Sequence, residues 1–267
     1  MITGSGNAQL KMIRQLMKSR EMREERGVFA AEGRKIFEEV PENAVEQIYV
    51  SGTFAREHAG ELADRTYTVV EDKRFESISD TKNPQGVIAV LKKPVWNPEE
   101  VLSPKAEAGE GKKMHGLLLL MAEHLQDPGN AGTIIRTAEA AGADAVIFTD
   151  DSVDIFNPKV VRATMGSIFR VPVLYVNDAA AFAGQLKERK IRTYAAYLPG
   201  STVYDEPDYT GGTCFIIGNE SKGLSLRTAE AADARIRIPM TEHINSLNAA
   251  MAAGILLYEA ERQRRKS

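Results

Sequence analysis

Residues 238–261 read IPMTEHINSLNAAMAAGILLYEAE, and the rest of the chain is organised around this stretch. The pattern predicts the end of a buried strand, an irregular polar loop and then a long helix. We expect Ser246 to cap that helix, because its hydroxyl can accept an amide hydrogen left unpaired in the first turn. Beyond it, apolar residues recur at the three-and-four spacing of one helix face; they are Leu247, Ala250, Met251, Gly254, Leu257 and Tyr258.

The composition is that of an ordinary globular protein, and a length of 267 residues favours two domains. A formal net charge of −3 shows no bias of the whole chain towards nucleic acid, although a local basic face is sufficient to hold a phosphate backbone. The single cysteine, Cys214, excludes an internal disulfide, fits a reducing cytosol and is typical of a small core residue.

Several classes of site and partner are not expected. The four histidines have no cysteine or carboxylate partners at ligand spacing, so we predict no metal site. No apolar run approaches the roughly 20 residues of a membrane span, and the amino terminus lacks the pattern of a signal peptide. We therefore expect a cytoplasmic protein without a membrane partner.

The amino-terminal segment is basic, in contrast to the whole chain. Residues 7–40 predict two helices on either side of Gly27, and positions 1–35 hold eight Lys or Arg against four Glu. Such a charge run is either a solvated helix face or a surface that binds phosphates with salt-sensitive affinity. In the second case the phosphate contacts are Lys11, Arg14, Lys18, Arg20, Arg23 and Arg34.

Changes of composition divide the chain. Residues 1–92 predict a small α/β domain, and residues 93–114, rich in proline, glycine and charge, predict a linker. Over residues 115–267 strands and helices alternate, which predicts a mostly parallel sheet with helices on both faces. The expected strands are 47–50, 66–70 and 86–90 in the first domain and 117–121, 145–148, 171–175, 192–196, 214–217 and 234–238 in the second. The expected helices of the second domain are 133–141, one beginning at Pro158, 179–190 and 226–232.

Three loops that follow predicted strands, 127–136, 218–224 and 241–248, carry unusual polar content. Ligands of open α/β sheets usually bind at such strand ends. Each loop also has a plain alternative, namely a helix entry with a solvated arginine, a surface glutamate or a set of helix caps. The polar side chains concerned are Asn130 and Arg136 in the first loop, Glu220 in the second, and Ser246 and Asn248 in the third.

A dinucleotide-binding unit is an alternative for the first loop. A strand, a glycine-containing loop, a helix and an acid at Asp150 after the next strand imitate such a unit. The imitation is weak, because GNAG at 129–132 supplies only G-x-x-G instead of G-x-G-x-x-G. Asn130 and Arg136 also stand where small residues normally dominate.

The three loops together resemble the motifs of the SpoU, or TrmH-like, branch of the SPOUT RNA 2′-O-methyltransferases. The first motif resembles LQDPGNAGTIIRTAEAAGAD at 125–144, the second FIIGNESKGLS at 215–225 and the third IPMTEHINSLNAA at 238–250. The segment NPKVVRATMGSIFRVPV at 157–173 is similar to the one that this family places between the first two motifs.

The amino-terminal domain carries a less specific resemblance. With FAAEGR at 29–34 and PQGV at 84–87, it is similar to the small substrate-binding domain, of ribosomal-protein-like α/β fold, that is often joined to this enzyme. For the carboxy-terminal domain the resemblance implies a deep trefoil knot, one of the few exceptions to unknotted chains. The knot of this family binds S-adenosylmethionine, and the enzyme is typically a homodimer packed around it.

The resemblance also implies roles for individual residues. The expected cofactor contacts are Leu198, Gly218, Ile238, Met240 and Leu247, and the expected catalytic set is Asn130, Arg136, Glu220, Ser246 and Asn248. The chain departs from the family pattern at Ser221 and Glu242, where glycine is common, and both departures bear on the affinity for the cofactor.

The chemistry limits what Arg136 can do. Methyl transfer from a sulfonium needs no metal, but it needs a nucleophile held in line with the methyl group. The family suggests Arg136 for activating the ribose hydroxyl. A guanidinium stays protonated, so we expect Arg136 to bind the phosphate beside the target ribose and stabilise developing alkoxide charge. The other four polar residues then position it and the loops.

The sequence thus predicts a two-domain enzyme that methylates a ribose 2′-hydroxyl in structured RNA. Ribosomal RNA is favoured over tRNA, because the amino-terminal domain resembles those of ribosomal RNA enzymes. Two alternatives remain. A non-catalytic RNA-binding protein would keep the basic helix without needing three polar loops, and a dinucleotide enzyme would bind NAD. No pattern in this sequence identifies the nucleotide that is methylated.

Overall fold

The protein forms two compact units in a computed structural model that describes residues 1–4, 6–103, 115–244 and 246–267. One unit comprises Met1–Val95 and Asp154–Phe169, and the other Trp96–Val153 and Arg170–Ser267. The contiguous domains 1–92 and 115–267 remain a prediction; the compact units differ from them by grouping Asp154–Phe169 with the amino-terminal unit. Of the predicted linker 93–114, residues 104–114 lie outside the described residues.

Helices and strands alternate along most of the described chain. The strands are β1 (Val28–Glu32), β2 (Val45–Ser51), β3 (Thr68–Val70), β4 (Val87–Lys92), β5 (Leu118–Ala122), β6 (Ala145–Thr149), β7 (Val173–Val176), β8 (Arg192–Ala196), β9 (Thr202–Val203), β10 (Thr213–Ile217) and β11 (Ala234–Arg237). The helices are α1 (Ala8–Lys18), α2 (Arg20–Arg26), α3 (Arg34–Glu39), α4 (Gly52–Glu57), α5 (Asp72–Glu76), α6 (Pro98–Val101), α7 (Pro128–Ala140), α8 (Pro158–Thr164), α9 (Ala179–Glu188), α10 (Leu226–Ala231) and α11 (Ala249–Lys266). Single 3₁₀ turns lie at Glu42–Ala44 and Ser167–Phe169.

The amino-terminal unit is built on a four-stranded sheet in the order β1-β4-β2-β3. Strands β2 and β3 are parallel, and the other two pairs are antiparallel. Helix α1 buries the apolar face expected from its periodicity, because a helix of this length is stabilised mainly by packing such a face on a core; the buried side chains are Leu10, Ile13, Leu16 and Met17.

The second helix predicted within residues 7–40 is wrong over Val28–Glu32, which forms strand β1. Gly27 ends helix α2 with a φ of 64°, a left-handed conformation that favours glycine. All five residues of the strand are buried, and β1 pairs with β4 from Val28↔Lys92 to Glu32↔Ile88. A short run buried on both faces has no periodicity that separates a strand from a helix.

The Asp154–Phe169 segment contributes directly to the core of the amino-terminal unit. The ring of Phe156 lies 4.9 Å from that of Phe29, and Asp154 forms an ion pair with Arg23 at 2.7 Å. Arg162 donates a hydrogen bond of 2.8 Å to Asp80. These contacts explain why the segment groups with the amino-terminal unit.

The carboxy-terminal unit confirms the prediction of a mostly parallel sheet. Seven strands lie in the order β7-β6-β5-β10-β8-β11-β9, and every paired neighbour is parallel. Strand β9, of two residues, was not predicted. Cys214 is fully buried in the core, as expected, and burial raises the pKa of its thiol. Because β5 and β10 are central neighbours, the loops after them meet at one edge of the sheet.

Two helix starts differ from the predictions. Helix α7 begins at Pro128, earlier than expected, because Asp127 caps it by accepting a hydrogen bond of 2.7 Å from the amide of Asn130. Two glycines in its first turns obscured that start. Ser246 does not cap helix α11; Asn248 does, by accepting from the amides of the first turn.

The apolar face predicted for helix α11 is only partly buried. Ala250 and Leu257 lie in the core, whereas Leu247, Met251 and Tyr258 are exposed by 39%, 62% and 48%. The spacing therefore identified an apolar face correctly, but part of that face has no partner within the described residues.

Candidate active site

A pocket of about 450 Å³ lies at the carboxyl edge of the sheet in the carboxy-terminal unit. Its walls come from the loops after β8, β10 and β11 and from the first turn of α11. This volume is within the range of small-molecule and cofactor sites. All five residues predicted to contact a cofactor line it, namely Leu198, Gly218, Ile238, Met240 and Leu247.

The walls of the pocket present apolar side chains that the fold leaves uncovered. Leu198 is 49% exposed, and Ile238 and Met240 are half-buried. Exposed large apolar groups that share one concavity are typical of a ligand site, because water contact with them is unfavourable.

A tight turn after β10 presents Glu220 at the pocket. Asn219 Oδ1 accepts hydrogen bonds from the amides of Ser221 at 2.9 Å and Lys222 at 3.0 Å. A Cβ atom at Gly218 would collide with the backbone of Gly223 and the amide of the next residue, so only glycine fits there. The glycine at 218 is therefore required by the turn itself, whatever it contributes to a ligand.

The Glu220 carboxylate joins the three polar loops through hydrogen bonds. Asn130 Nδ2 donates to Glu220 Oε1 at 3.0 Å, and the amides of Asp127 and Gln126 donate to the same carboxylate at 3.0 and 3.3 Å. Asn248 Nδ2 in turn donates to Asn130 Oδ1 at 2.8 Å. We call the chain Glu220–Asn130–Asn248 the polar relay; it brings three of the five predicted catalytic residues together.

Hydrogen bonding keeps the Glu220 carboxyl ionised. Burial raises its pKa, but hydrogen bonds from the Asn130 side chain and from nearby backbone amides outweigh that effect and hold the pKa below its ordinary value. A carboxylate that accepts several hydrogen bonds is a fixed anchor for the loops and is poorly suited to accept a further proton.

The other two predicted catalytic residues occupy different positions. Ser246 is exposed and lines the pocket. Arg136 lies on helix α7 and is exposed; among the described residues it has no ion-pair or hydrogen-bond partner. It stands six positions beyond Asn130, so the two side chains point to different sides of the helix. The structure therefore does not bring Arg136 into the polar relay.

The predicted basic residues of the amino-terminal unit have three different environments. Lys11 and Lys18 are exposed and form no ion pair within the described part of the chain. Arg20 and Arg34 are exposed but pair with glutamates, and Arg14 is half-buried and bonded to Ser77. The burial of Arg23 contradicts the prediction that it contacts phosphate. It is only 3% exposed, because its guanidinium is held by Asp154 and by the carbonyl of Leu16.

The two departures from the family pattern differ in position. Ser221 lines the pocket, and Glu242 is exposed and does not line it. Among the pocket residues missed in the sequence are four with polar side chains, namely Tyr197, Asn219, Lys222 and Arg237. Asn219 and Lys222 lie inside the GNESKGL segment and could have been found there, whereas no pattern marked the other two.

Within residues 1–4, 6–103, 115–244 and 246–267, no group of three or more His, Cys, Asp or Glu side chains is placed to hold a metal ion. No helix in those ranges is long and apolar enough to cross a membrane.

Comparison with known proteins agrees with this geometry. A family profile described as the SpoU rRNA Methylase family matches residues 117–258, and one described as an MRM3-like substrate binding domain matches residues 7–89. The chain is 31% identical to the 23S rRNA (guanosine(2553)-2'-O)-methyltransferase RlmP of Bacillus subtilis over 96% of this chain and 97% of that protein. It is 31% identical to human mitochondrial rRNA methyltransferase 3, over 97% of this chain and 73% of that protein.

A solved structure gives the same result at the level of the fold. An AdoMet-bound rRNA methyltransferase from Sinorhizobium meliloti superposes with a TM-score of 0.79 and 30% identity, covering 98% of this chain and 97% of that one. Similarity of this extent covers both compact units.

Replacing Glu220 tests the polar relay. Because the folded pKa of Glu220 is lowered, its ionised form stabilises the fold above the ordinary carboxyl pKa, and this contribution disappears as pH falls through the folded pKa. We expect Glu220→Gln to lower the free energy of unfolding at neutral pH, and the difference from wild type to shrink in acid. Denaturant titrations between about pH 7 and about pH 3 measure this. Glu242→Gln, at an exposed carboxylate, is the control and should leave the profile unchanged; equal profiles for both variants would contradict the relay.

Proposed function

The chain belongs to the SpoU rRNA Methylase family, and we propose that its pocket binds S-adenosylmethionine for methylation of a ribose 2′-hydroxyl in ribosomal RNA. The observation that carries this proposal is the polar relay, which joins three loops beside a pocket of cofactor size. A protein that only binds RNA has no need of such an arrangement.

The pocket residues suit this cofactor. When bound, S-adenosylmethionine supplies an electrophilic methyl group on a sulfonium. Leu198, Ile238, Met240 and Leu247 offer apolar surface for its adenosyl part, and Gly218 lines the same pocket. Methyl transfer from a sulfonium needs no metal.

The polar relay holds the site in shape. Glu220 orients the amide of Asn130, and Asn130 orients Asn248 at the start of helix α11. Loops held in this way keep Ser246 and the acceptor nucleotide at a constant position relative to the pocket. Positioning of this kind accounts for much of the rate of a two-substrate reaction.

Arg136 stabilises the reacting oxygen in this proposal. The 2′-oxygen loses its proton as it gains the methyl group, and negative charge develops on it. The Arg136 guanidinium stays protonated, binds the neighbouring phosphate and stabilises that charge. Its exposure and its lack of a partner among the described residues leave it available for an anionic substrate.

Ribosomal RNA is the substrate class we favour over tRNA. The Bacillus subtilis relative acts on 23S rRNA, and the alignment with it covers 96% of this chain, including the amino-terminal unit. Similarity to this bacterial enzyme also supports a cytoplasmic location.

Calorimetric titration tests the pocket against its rivals. We expect S-adenosylmethionine and S-adenosylhomocysteine to bind and NAD not to bind. Binding of NAD alone would establish the dinucleotide alternative, and absence of all three would leave a non-catalytic RNA-binding protein. Incorporation of labelled methyl groups into ribosomal RNA from cells lacking the gene, followed by mapping of ribose methylation, identifies the nucleotide.

Arg136→Lys tests the role of the guanidinium. Lysine keeps the charge but lacks the planar set of donors, so we expect kcat to fall about 100-fold or more while cofactor affinity stays nearly unchanged. Methyl incorporation and calorimetry measure the two quantities. Arg265→Lys, at an exposed arginine of helix α11, is the matched control. Full activity of Arg136→Lys would refute this role.

The amino-terminal unit binds RNA backbone through helix α1 in this proposal. Lys11, Arg14 and Lys18 recur at the spacing of one helix face, and the two lysines have no acidic partner in the described ranges. Free lysines of this kind attract phosphates from any sequence. Arg20 and Arg34 contribute less, because ion pairs with glutamates occupy them, and Arg23 is excluded by its burial.

Replacing Lys11 and Lys18 with glutamine tests this surface. Affinity for purified ribosomal RNA should fall, and the slope of log K against log salt should become shallower by about 1 to 2, since each phosphate contact contributes about 0.7 to 0.9. Filter binding at several salt concentrations measures the slope. Lys187→Gln, an exposed lysine of the carboxy-terminal unit, is the control. An unchanged slope would leave helix α1 as a solvated face.

Homodimerisation, with the deep trefoil knot, completes the proposal. Met251 and Tyr258 stand seven positions apart on helix α11, so they share a face. Two large apolar side chains exposed along one helix face are suited to packing on a second copy. The family resemblance of residues 125–250 supports the knot.

Met251→Glu tests the dimer. A charge in an apolar interface is costly to bury, so we expect this variant to be monomeric where the wild type is dimeric, as measured by light scattering after size-exclusion chromatography. Leu226→Glu replaces a residue of similar exposure on helix α10 and should leave the mass unchanged. A monomeric wild type would refute the dimer, and a dimeric Met251→Glu protein would place the interface elsewhere.

A further inference from the structure

The loop between β8 and β9, residues 197–201, forms one apolar wall of the pocket. Tyr197, Leu198 and Pro199 line the pocket from this loop, and the last two are exposed. A wall on an exposed loop is less rigid than one on a strand, because few buried contacts hold it. Contacts with other elements must therefore hold this loop against the cavity.

Strand β11 holds the chain on both sides of this loop through its backbone. The amide of Tyr197 donates to the carbonyl of Ile236 at 3.0 Å, and the amide of Tyr204 donates to the carbonyl of Arg237 at 2.9 Å. Between these points the chain makes a turn, in which Ser201 Oγ donates to the carbonyl of Leu198 at 2.7 Å. Backbone pairing thus leaves the turn itself to be fixed by other groups.

The Arg237 side chain supplies that contact. Its guanidinium donates a hydrogen bond to the carbonyl of Ser201, and Arg237 also lines the pocket. No acidic side chain within the described ranges forms an ion pair with it, so its charge serves no salt bridge there. A rigid planar guanidinium can hold a carbonyl at fixed geometry in a way that a lysine cannot.

We propose that Arg237 is a positioning residue that clamps the β8–β9 loop and thereby keeps the Leu198–Pro199 wall closed on the cofactor. This inference rests on the proposed function, since it concerns the same pocket. Arg237 acts through the loop and makes no contribution to the methyl transfer itself. The polar relay and Arg136 lie on other elements, so the clamp governs affinity for the cofactor and leaves turnover at saturation unchanged.

Arg237→Met and Arg237→Lys test the clamp in the full-length protein. We expect S-adenosylhomocysteine to bind about 10-fold more weakly to the methionine variant, as for loss of a hydrogen bond to a charged group, and the lysine variant to lie between it and wild type. The KM for S-adenosylmethionine should rise equally, with kcat at saturating cofactor within about twofold of wild type. Arg265→Met is the control. A fall in kcat with unchanged affinity would overturn the proposal.

A second readout needs no cofactor. Hydrogen exchange of the ligand-free protein should show faster exchange at the amides of residues 198 and 200–203 in Arg237→Met, with the strands of the central sheet unchanged. Slower or equal exchange there would overturn the clamp even if the variant binds ligand weakly. Failure of the proposed function would appear differently, as a wild type that binds no S-adenosylhomocysteine while the exchange difference persists.

Combining substitutions tests whether the contacts act on one wall. Ser201→Ala removes the hydrogen bond inside the turn, and its effect on affinity should be small beside that of Arg237→Met. If both act through the same loop, the double variant binds no more weakly than Arg237→Met alone. If the two substitutions weaken ligand binding by factors that multiply in the double variant, Arg237 contacts the ligand independently of the loop. The proposal would then be wrong.

Discussion

The polar site of the carboxy-terminal unit depends on the hydrogen bonds that the Glu220 carboxylate accepts. This carboxylate accepts hydrogen bonds from Asn130 and from two amides of the loop after β5, and Asn130 accepts from Asn248 at the start of helix α11. Three segments far apart in the chain are thereby held at one edge of the sheet. Because these donors are aligned on an ionised acceptor, the network keeps the pKa of Glu220 low despite partial burial.

The order of the sheet gives each side of the site its own character. Strand β10 has β5 on one side and β8 on the other. The loop after β5 brings the amides of the polar relay, and the loop after β8 brings apolar Leu198 and Pro199. One edge of a parallel sheet thus combines an apolar pocket for a cofactor with a polar framework for the acceptor. Arg136 and the exposed face of helix α11 remain open for RNA or for a second subunit.

Much of this arrangement was predictable, and the errors have physical causes. Strand β8 was predicted with its bounds, and all five predicted cofactor contacts line one pocket. Val28–Glu32 was taken as helix because a run buried on both faces has no period of its own. Arg23 was taken as a phosphate contact because charge alone does not reveal an acidic partner such as Asp154, which follows 131 positions later.

The sequence by itself determined the alternation of strands and helices, the polar content of three loops and the family, because these depend on local pattern and on the order of motifs. Tertiary structure alone decided which side chains meet. The hydrogen bond of Arg237 to Ser201, the burial of Arg23 and the hydrogen bond of Asn248 to Asn130 each depend on an atom supplied by a distant segment. Local propensity carries no information about such partners, since they are brought together only when the sheets and helices pack.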